Sequence, residues 1–374
     1  MNSFGRYLFL LCVLSLLIPT AASGQSDLPS PAGSAADGLS AALLALGAPG
    51  RIPRGDGFSY AVDGATMWIA AATAGDRPLF DAIHTGMEGY VVSVDVEGRI
   101  RRTISWRLGR HGEKDATGTT ETLLCIEALV AGARRFDDPA LLREAMDLAD
   151  GYAMHEDGTG RTWRVRNYYN YGTRAFSPNS YTLGYAPDLL DKLAESAGDA
   201  GMKGVLGSLA ARSRAFVLEA ALPSGLFHSS FDPELHTLFG ACLPSFHFSP
   251  NFIVKPGDSA AIALGIARSV PEAARRTLAF IAARWPDIGD AIYGDTGERA
   301  FVDRGCDRMS AGHMAIVLRL ALACGDRNFA ERVLADILPE ARRLERDLKN
   351  GGAWIWDAAT VLLALREHVD SGGE

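Results

Sequence analysis

Three carboxylates, Asp63, Glu121 and Asp258, each stand where a predicted helix begins. Hydrolysis of a glycosidic bond needs two carboxyl groups, because one protonates the leaving oxygen while the other activates water or attacks the sugar. Aromatic side chains, whose flat faces stack on sugar rings, are dense in the connections that lead into these helices. The combination predicts a site that hydrolyses polysaccharides, and helix capping is the competing explanation for each carboxylate taken alone.

The densest aromatic segment lies between residues 161 and 171, which contain a tryptophan, three tyrosines and three arginines. Aromatic, basic loops also bind single-stranded nucleic acid, but a net charge of −8 disfavours that partner. A sugar chain is therefore the favoured ligand. The predicted substrate-binding residues are Trp106, Trp163, Arg166, Tyr168, Tyr169, Tyr171, Asn179 and Tyr181.

Helices joined in pairs by short polar turns must position these residues. The turns Gly75-Asp76-Arg77 and Gly325-Asp326-Arg327 have the same sequence and indicate a repeated helical hairpin. A small β-hairpin is predicted around Glu97-Gly98. Apolar periodicity and stop signals predict twelve helices, near residues 37–47, 62–74, 77–92, 118–134, 139–155, 180–195, 203–221, 258–269, 272–285, 310–324, 327–347 and 353–368.

The connections alternate between short turns within a hairpin and long links between hairpins. Antiparallel helices place all the long links on one rim of the fold, and long ordered loops are commonly functional. Twelve helices paired in this way predict an all-α (α/α)6 barrel, and an open α-solenoid is the competing architecture. The residues expected on the loop rim include Asp63, Glu121, Asn179, Ser180, Tyr181, Asp258, His313, Trp354 and Asp357.

The first residues of the chain match an export signal. Arg6 precedes an apolar stretch that is too short to span a bilayer, and small residues follow it. We therefore predict a signal peptide at residues 1–24, a flexible leader at 25–36 and a single barrel domain at 37–370. The mature protein is expected in the periplasm or the medium, with no membrane partner after cleavage.

Four cysteines remain after that cleavage, and none forms a CxxC pair that would indicate zinc. Cys125 and Cys324 fall in apolar helices and are expected in the core. Cys242 and Cys306 fall in loops and are candidates to pair in an oxidising compartment. The sequence has no dinucleotide fingerprint, phosphate-binding loop or HExxH motif, so we predict no cofactor and no metal.

Four segments, at residues 67–83, 115–132, 174–181 and 257–262, resemble glycoside hydrolase family 8, which includes periplasmic endoglucanases of bacterial cellulose-synthesis operons. Residues 67–83 resemble the helix that follows the family's general acid. Residues 115–132 resemble its Ala-Ser/Thr-Asp-Gly/Ala-Asp segment, and residues 174–181 resemble its Phe-x-Pro-Ser-Tyr stretch. Residues 257–262 are placed like the segment with the general base.

The chain departs from the family pattern at two of these places. Val62-Asp63-Gly64 stands where Ser-Glu-Gly is expected, and Thr119 or Gly118 replaces the first aspartate of the Asp-x-Asp pair, while Glu121 takes the second place.

The resemblance implies an inverting hydrolase that acts on a β-glucan, by analogy in an endo fashion. In this interpretation Asp63 is the acid, Asp258 is the base and Glu121 holds the sugar at the cleavage point. The implied partners are the polysaccharide and an exopolysaccharide synthesis or export complex.

Two alternatives stay open at the level of the sequence. A uronate lyase on the same barrel needs a base and groups that neutralise the uronate carboxylate. The residues that would supply them are Arg164, Arg166, Arg174, Tyr168, Tyr181, His228 and His247. A non-catalytic glycan-binding component of an export system would explain the departures from the family pattern.

Overall fold

The computed structural model describes residues 30–158, 163–177, 180–229, 254–289, 292–294, 297, 299–301, 308–351 and 354–372. Helices dominate this part of the chain, as the periodicity predicts. Its twelve α-helices are α1 (Pro31–Leu44), α2 (Ala61–Ala74), α3 (Arg77–Met87), α4 (Thr119–Phe136), α5 (Pro139–Ala153), α6 (Pro187–Ser196), α7 (Ala200–Glu219), α8 (Pro256–Leu264), α9 (Pro271–Ala282), α10 (Ala311–Ala323), α11 (Arg327–Lys349) and α12 (Ile355–Asp370).

The even-numbered helices form a closed inner ring. Helix α2 packs against both α4 and α12, and α10 packs against both α8 and α12. The 3-10 turn Thr182–Gly184, just before α6, contacts α4 and α8 and completes the circle. Helix α1 packs on α11 and α12, so the first helix is the outer partner of the last inner one. This closure confirms the (α/α)6 barrel and excludes the open solenoid.

Inner and outer helices differ in where their apolar residues lie. Along inner helix α2 every residue from Asp63 to Ala72 is buried, because neighbours surround it on all sides. Outer helix α11 buries a stripe that includes Phe329, Val333 and Ile337 and leaves its other face to solvent. The two patterns are those expected of a barrel with one layer of helices inside the other.

The repeated glycine–aspartate turn ends one helix and begins the next. Gly75 and Gly325 end α2 and α10 in the left-handed region, with φ of 72° and 74°, which costs a glycine little. Asp76 accepts a hydrogen bond from Leu79 N at 3.0 Å and caps α3. Asp326 caps α11 in the same way. These turns lie on the rim opposite the long links.

Several helix boundaries differ from those expected, and the two largest differences are at helix starts. The helices predicted at residues 77–92 and 258–269 also end early, at Met87 and Leu264, and residues 91 and 92 belong to a strand. The flexible leader predicted at residues 25–36 is wrong over residues 31–36, because α1 begins at Pro31, and Ala32 and Ala36 pack in the core. The helix predicted at residues 180–195 begins only at Pro187, since a residue that precedes proline disfavours helical backbone. Pro187 itself suits the first helical position.

The predicted β-hairpin is confirmed, with Glu97 and Gly98 at positive φ between its strands. Other strands are short and line the loop rim. The strands are β1 (Ser59–Tyr60), β2 (Val91–Val96), β3 (Arg99–Ile104), β4 (Arg107–Leu108), β5 (Glu156–Asp157), β6 (Arg164–Val165), β7 (Tyr169–Asn170), β8 (Ala175–Phe176), β9 (Ile292–Tyr293) and β10 (Arg299–Phe301). None of the described helices combines the length and apolarity that a membrane crossing requires.

The cysteine and signal-peptide predictions are only partly covered by the described residues. Cys125 is buried in the core, and Cys324 is half-buried against it, as expected for both. The signal peptide at residues 1–24, together with Cys242 and Cys306, lies outside the described residues.

Candidate functional site

A titratable side chain occupies the third residue of five of the inner helices in the described part of the chain. They are Asp63 in α2, Glu121 in α4, Asp258 in α8, His313 in α10 and Asp357 in α12. Because inner helices begin at the same rim, these side chains ring the mouth of the barrel. Helix N-termini favour negative charge, whereas burial disfavours it, so the protonation of each of the four carboxyl groups depends on its own surroundings.

Both carboxylate oxygens of Asp63 are held by one guanidinium. Arg54 donates from Nε to Oδ2 at 2.8 Å and from Nη2 to Oδ1 at 2.6 Å. Arg54 also lies 4.1 Å above the ring of Tyr60. The Asp63 side chain is only 2% exposed, and its burial raises its pKa more than Arg54 lowers it. Asp63 is therefore an anchored, buried group.

Removal of Arg54 should destabilise the fold through Asp63. We expect Arg54→Leu to lower the free energy of unfolding at neutral pH by about 3 kcal/mol, because a buried carboxylate would lose its partner. The loss should shrink at acid pH, where the unpaired Asp63 takes up a proton. Urea unfolding at pH 5 and pH 8 measures it. The double variant Arg54→Leu/Asp63→Asn should recover most of the stability, and equal losses in single and double variants would contradict this role.

Glu121 lies half-buried at the start of α4. Burial raises the pKa of its carboxyl to about 7, and the negative charge of Asp63 adds to the rise, while a backbone hydrogen bond and Arg54 oppose it. A capping box does not account for the residue, because the amide of Gly118 donates to Ile104 O at 2.9 Å. Glu121 is thus a carboxylic acid that keeps its proton up to neutral pH.

Gly118 leaves the space in which the Glu121 carboxyl sits. A Cβ on Gly118 would lie 2.0 Å from Glu121 Oε2 and 3.0 Å from Trp106 Cβ. The backbone of Gly118 is extended, with φ of −134°, so alanine is allowed there by backbone geometry. The glycine is needed for the side-chain space, and only a shifted Glu121 would accommodate a methyl group.

We expect Gly118→Ala to reduce turnover about 100-fold, because displacement of a catalytic group by an ångström has that order of effect. Its melting temperature should fall by only a few degrees, since the group that must move is the end of a flexible side chain. Gly204→Ala on outer helix α7, where a Cβ would meet no atom within 4 Å, is the matched control. Activity that matches this control would show that Glu121 needs no such space.

The side chain of Glu121 lines a cleft on the loop rim, called here the rim cleft. The cleft has a volume of about 430 Å³, and three predicted binding residues line it with Glu121: Trp106, Tyr168 and Tyr181. Tyr168 is 40% exposed and Tyr181 is 46% exposed, so their rings are available to a ligand. Trp106 is fixed by a hydrogen bond from its Nε1 to Asp115 Oδ1 at 2.6 Å.

The other predicted aromatic and basic residues build the loop instead. Trp163 donates to Glu156 Oε2 at 2.9 Å and packs edge-on against Tyr185. Arg166 forms an ion pair with Asp157 at 3.0 Å. Tyr169 and Tyr171 pack edge-on against each other, and Tyr169 also packs against Phe176. None of these lines the rim cleft, and Asn179 lies outside the described residues.

Asp258 lies on the wall of a second cavity of about 300 Å³ inside the inner ring, called here the barrel cavity. His313 faces it, with Nε2 3.6 Å from Asp258 Oδ1. Burial alone would raise the pKa of Asp258, but the interaction with His313, together with the charge of Lys255, outweighs it, and the pKa falls below its usual range. Asp258 therefore stays ionised.

The wall of the barrel cavity explains how these groups are held. Thr120 lines both the barrel cavity and the rim cleft, so the two spaces lie next to each other at the start of α4. Ser310 caps α10 and faces His313 Nδ1 at 3.3 Å, which orients the ring. Further in, Arg319 is held between Glu127 at 3.2 Å and Glu367 at 2.8 Å.

Some of these residues carry no signal that can be read from the sequence. Arg54 and Arg319 stand in unremarkable segments, and only the tertiary fold brings them to their carboxylates. His313 stands on the expected rim, but its pairing with Asp258 depends on the neighbouring positions of α8 and α10 in the ring. Once the helix starts are known, the signal that could have indicated this pairing is the titratable side chain at the third residue of each of these helices.

Solved structures share this fold. An α-amylase from Clostridium perfringens matches with a TM-score of 0.67 at 14% identity, over 89% of this chain and 98% of its own. A reducing-end-xylose releasing exo-oligoxylanase matches with a TM-score of 0.61 at 14% identity, over 93% and 94%. Rex8A from Paenibacillus barcinonensis, complexed with xylose, matches with a TM-score of 0.60 at 15% identity, over 87% and 85%.

At these identities the likeness is one of fold. The fold implied by the resemblance to glycoside hydrolase family 8 is confirmed, since these structures match nearly the whole barrel. No family model and no curated protein matches the sequence.

Proposed function

We propose that this chain is a glycoside hydrolase that cleaves a polysaccharide with Glu121 as general acid and Asp258 as general base. One observation carries the proposal: two carboxyl groups at one barrel mouth have pKa values shifted in opposite directions. Glu121 keeps its proton to about pH 7, whereas Asp258 stays ionised well below neutrality. When two carboxyl groups in one site have pKa values that lie far apart, one can donate a proton and the other can accept one at the same pH.

The two groups define the steps of the reaction. The protonated Glu121 carboxyl gives its proton to the glycosidic oxygen as the bond to the anomeric carbon breaks. Asp258 takes a proton from a water molecule, whose oxygen attacks that carbon from the opposite face. The sugar is released with inverted configuration, and a new hemiacetal hydroxyl replaces the glycosidic bond. Inversion requires about 6.5–9.5 Å between the carboxyl groups, to admit the water.

Asp63 takes a different role from the acid that the resemblance implies. Arg54 engages both of its oxygens and its side chain is only 2% exposed, so its carboxyl group is poorly placed to reach a glycosidic bond. Its negative charge instead supports the raised pKa of Glu121. In this proposal the longer glutamate side chain of α4 replaces the aspartate of α2 as the proton donor.

The rim cleft is proposed to hold the sugar chain. Trp106, Tyr168 and Tyr181 offer aromatic faces beside Glu121, which suits flat pyranose rings more than charged ligands. A β-glucan cleaved in an endo fashion is the substrate class proposed from the resemblance. The export signal in the sequence supports a periplasmic or secreted site of action beside an exopolysaccharide system.

The lyase alternative has less support from the geometry. Its strongest candidates to neutralise a uronate carboxylate, Arg164 and Arg166, both pair with Asp157. Tyr168 is exposed in the rim cleft without a neighbouring free arginine among the described residues that line it. The non-catalytic alternative predicts glycan binding without any product.

Product analysis tests the proposal. The purified protein is incubated with a panel of soluble β-glucans, xylan and bacterial exopolysaccharides, and reducing ends are measured. Proton NMR of the first product should show the anomer opposite to that of the cleaved linkage. Products that absorb in the ultraviolet would indicate the lyase, and binding with no product would indicate the non-catalytic component.

A further inference from the structure

A buried imidazole contacts one of the residues that line the rim cleft. His155 follows the end of α5 and is fully buried. Its Nε2 lies 2.7 Å from Thr117 Oγ1, and its Nδ1 lies 3.1 Å from Tyr152 O. Thr117 lines the rim cleft, whereas His155 does not. The imidazole therefore reaches the cleft through Thr117.

The hydrogen bonds of His155 specify one form of its ring. The carbonyl oxygen of Tyr152 can only accept, so Nδ1 carries the hydrogen and Nε2 is an acceptor. The hydroxyl group of Thr117 then donates to Nε2. Burial is the main cause that lowers the pKa of His155 to about 4, backbone hydrogen bonds oppose it, and the charges of Arg101 and Arg166 add to it. The ring is therefore neutral at neutral pH.

The charged groups that act on the imidazole favour its neutral form. Arg101 lies on β3, and Arg166 follows β6. Each arginine has its own carboxylate: Asp150 lies 3.7 Å from Arg101, and Asp157 lies 3.0 Å from Arg166. Because both arginines are positive and both carboxylates are engaged by them, a proton on His155 would be repelled without a compensating partner from these groups.

Thr117 and Thr119 anchor the segment of the aromatic loop that carries Tyr168. The Thr117 hydroxyl group accepts a hydrogen bond from Tyr169 N at 2.7 Å, and Thr117 N donates to Tyr169 O at 3.0 Å. On the other side of Tyr168, Thr119 donates to Asn167 O from Oγ1 at 3.1 Å and from its amide at 3.3 Å. The main chain is thus held on both sides of Tyr168, whose exposed ring lines the rim cleft.

We propose that His155 is a positioning residue of the rim cleft: its neutral ring orients the Thr117 hydroxyl group, which in turn fixes the main chain beside Tyr168. A hydroxyl group that donates to His155 keeps its lone pairs for other donors, as the amide of Tyr169 requires. Proton uptake would make Nε2 a donor, and the Thr117 hydroxyl group would lose its acceptor. This inference rests on the proposed function, because it assigns His155 to the cleft that holds the sugar chain.

Hydrogen exchange at the Tyr169 amide tests this anchor without a ligand. His155→Leu removes the acceptor, whereas His155→Gln offers an amide oxygen to Thr117 and cannot take up a proton. At pH 7.5 we expect Tyr169 to exchange at least about tenfold faster in His155→Leu, and within about threefold of the wild type in His155→Gln. His84→Leu is the matched control and should leave this exchange unchanged, because His84 joins outer helices α3 and α5 through Glu144 at 2.9 Å and does not line the rim cleft.

The pH dependence separates a positioning role from a merely structural one. An imidazole released from the fold has an ordinary pKa of about 6.5, so openings that expose His155 should be about 30-fold more populated at pH 5 than at pH 7.5. After correction for the intrinsic pH dependence of exchange, the protection of Tyr169 should fall by about that factor in the wild type and stay constant in His155→Gln. The amides of Val333 and Ile337 in α11 report global unfolding and should keep their protection.

Equal exchange in His155→Leu and the wild type, or equal acceleration in both His155 variants, would overturn the inference. If His155→Leu does not fold, the pH comparison between the wild type and His155→Gln decides. On a substrate found in the panel, His155→Leu should raise KM about 5- to 10-fold and change kcat less than about threefold, because Tyr168 contributes to binding. The expected exchange in a chain that never cuts glycans would support the role of His155 and reject the proposed hydrolysis, so the two failures are distinguishable.

Discussion

Glu121→Gln should reduce turnover of the best polysaccharide substrate by about 100- to 10,000-fold, the usual contribution of a general acid. Glutamine preserves the shape of the side chain but has no proton to give to the leaving oxygen. The fold should survive, because burial penalises the charged form of Glu121 and glutamine is neutral. Initial rates of reducing-end formation, with melting temperatures measured on the same preparations, test this.

The wild-type pH profile should show the same acid. Glu121 must be protonated to act, so kcat/KM should fall as pH rises through about 7. Asp258 must be ionised, and its lowered pKa keeps it so down to the acid end of the range, where the other fall lies. Asp63→Asn should move the alkaline fall to lower pH, because removal of its negative charge favours ionised Glu121.

Glu127→Gln is the matched control for Glu121→Gln. Glu127 lies on the same helix and lines the barrel cavity, but it pairs with Arg319 instead of facing the rim cleft. We expect it to keep the turnover of the wild type within a few fold. Similar large losses in both variants would mean that charge on α4, and no particular proton donor, governs activity.

Asp258→Asn should cause a loss of similar size, because asparagine cannot take a proton from the attacking water. KM should change little, since a base acts mainly in the transition state and contributes little to substrate binding. The measurement is steady-state kinetics on the substrate identified from the panel. His313→Gln should give a smaller loss and raise the acid-side pKa of the profile, because the imidazole lowers the pKa of Asp258.

Asp188→Asn tests whether loss of a structural carboxylate in the barrel cavity reduces turnover as much as loss of the proposed base. Asp188 also lines the barrel cavity, but it accepts hydrogen bonds from the backbone amides of Arg268 at 2.6 Å and Ser269 at 3.1 Å. Its substitution should lower stability and spare turnover in the protein that remains folded. If Asp188→Asn abolishes turnover and Asp258→Asn does not, the assigned base is wrong.

Local signals in the sequence are enough to predict the fold, because the helical hairpins can be recognised from the residues at their turns. A glycine that ends one helix and an aspartate that starts the next are set by neighbouring residues, so the turn at Gly75-Asp76 is readable without tertiary contacts. The alternation of short turns and long links then predicts the barrel. The start of α1 at Pro31 is not predicted, because Ala32 and Ala36 acquire their burial only when α1 packs on α11 and α12.

The candidate site is only partly readable in the same way. Helix starts indicate which carboxylates face the mouth, but not what stands beside them. Asp63 has the pattern of a free acid in the sequence, yet Arg54, nine residues earlier, holds both its oxygens. In the aromatic loop, composition alone does not distinguish Trp163 from Tyr168 as a sugar-binding residue. Only the packing shows that the Trp163 ring supports the loop and that the Tyr168 ring is exposed.

The most direct test of the central claim compares three variants with the wild type in one assay: Glu121→Gln, Asp258→Asn and Asp63→Asn, on the substrate that releases most reducing sugar. All three are assayed well below their melting temperatures. We expect losses of at least about 100-fold for Glu121→Gln and Asp258→Asn, and at most about tenfold for Asp63→Asn. Full activity in Glu121→Gln with complete loss in Asp63→Asn would contradict the assignment and would indicate that Asp63 on α2 is the general acid.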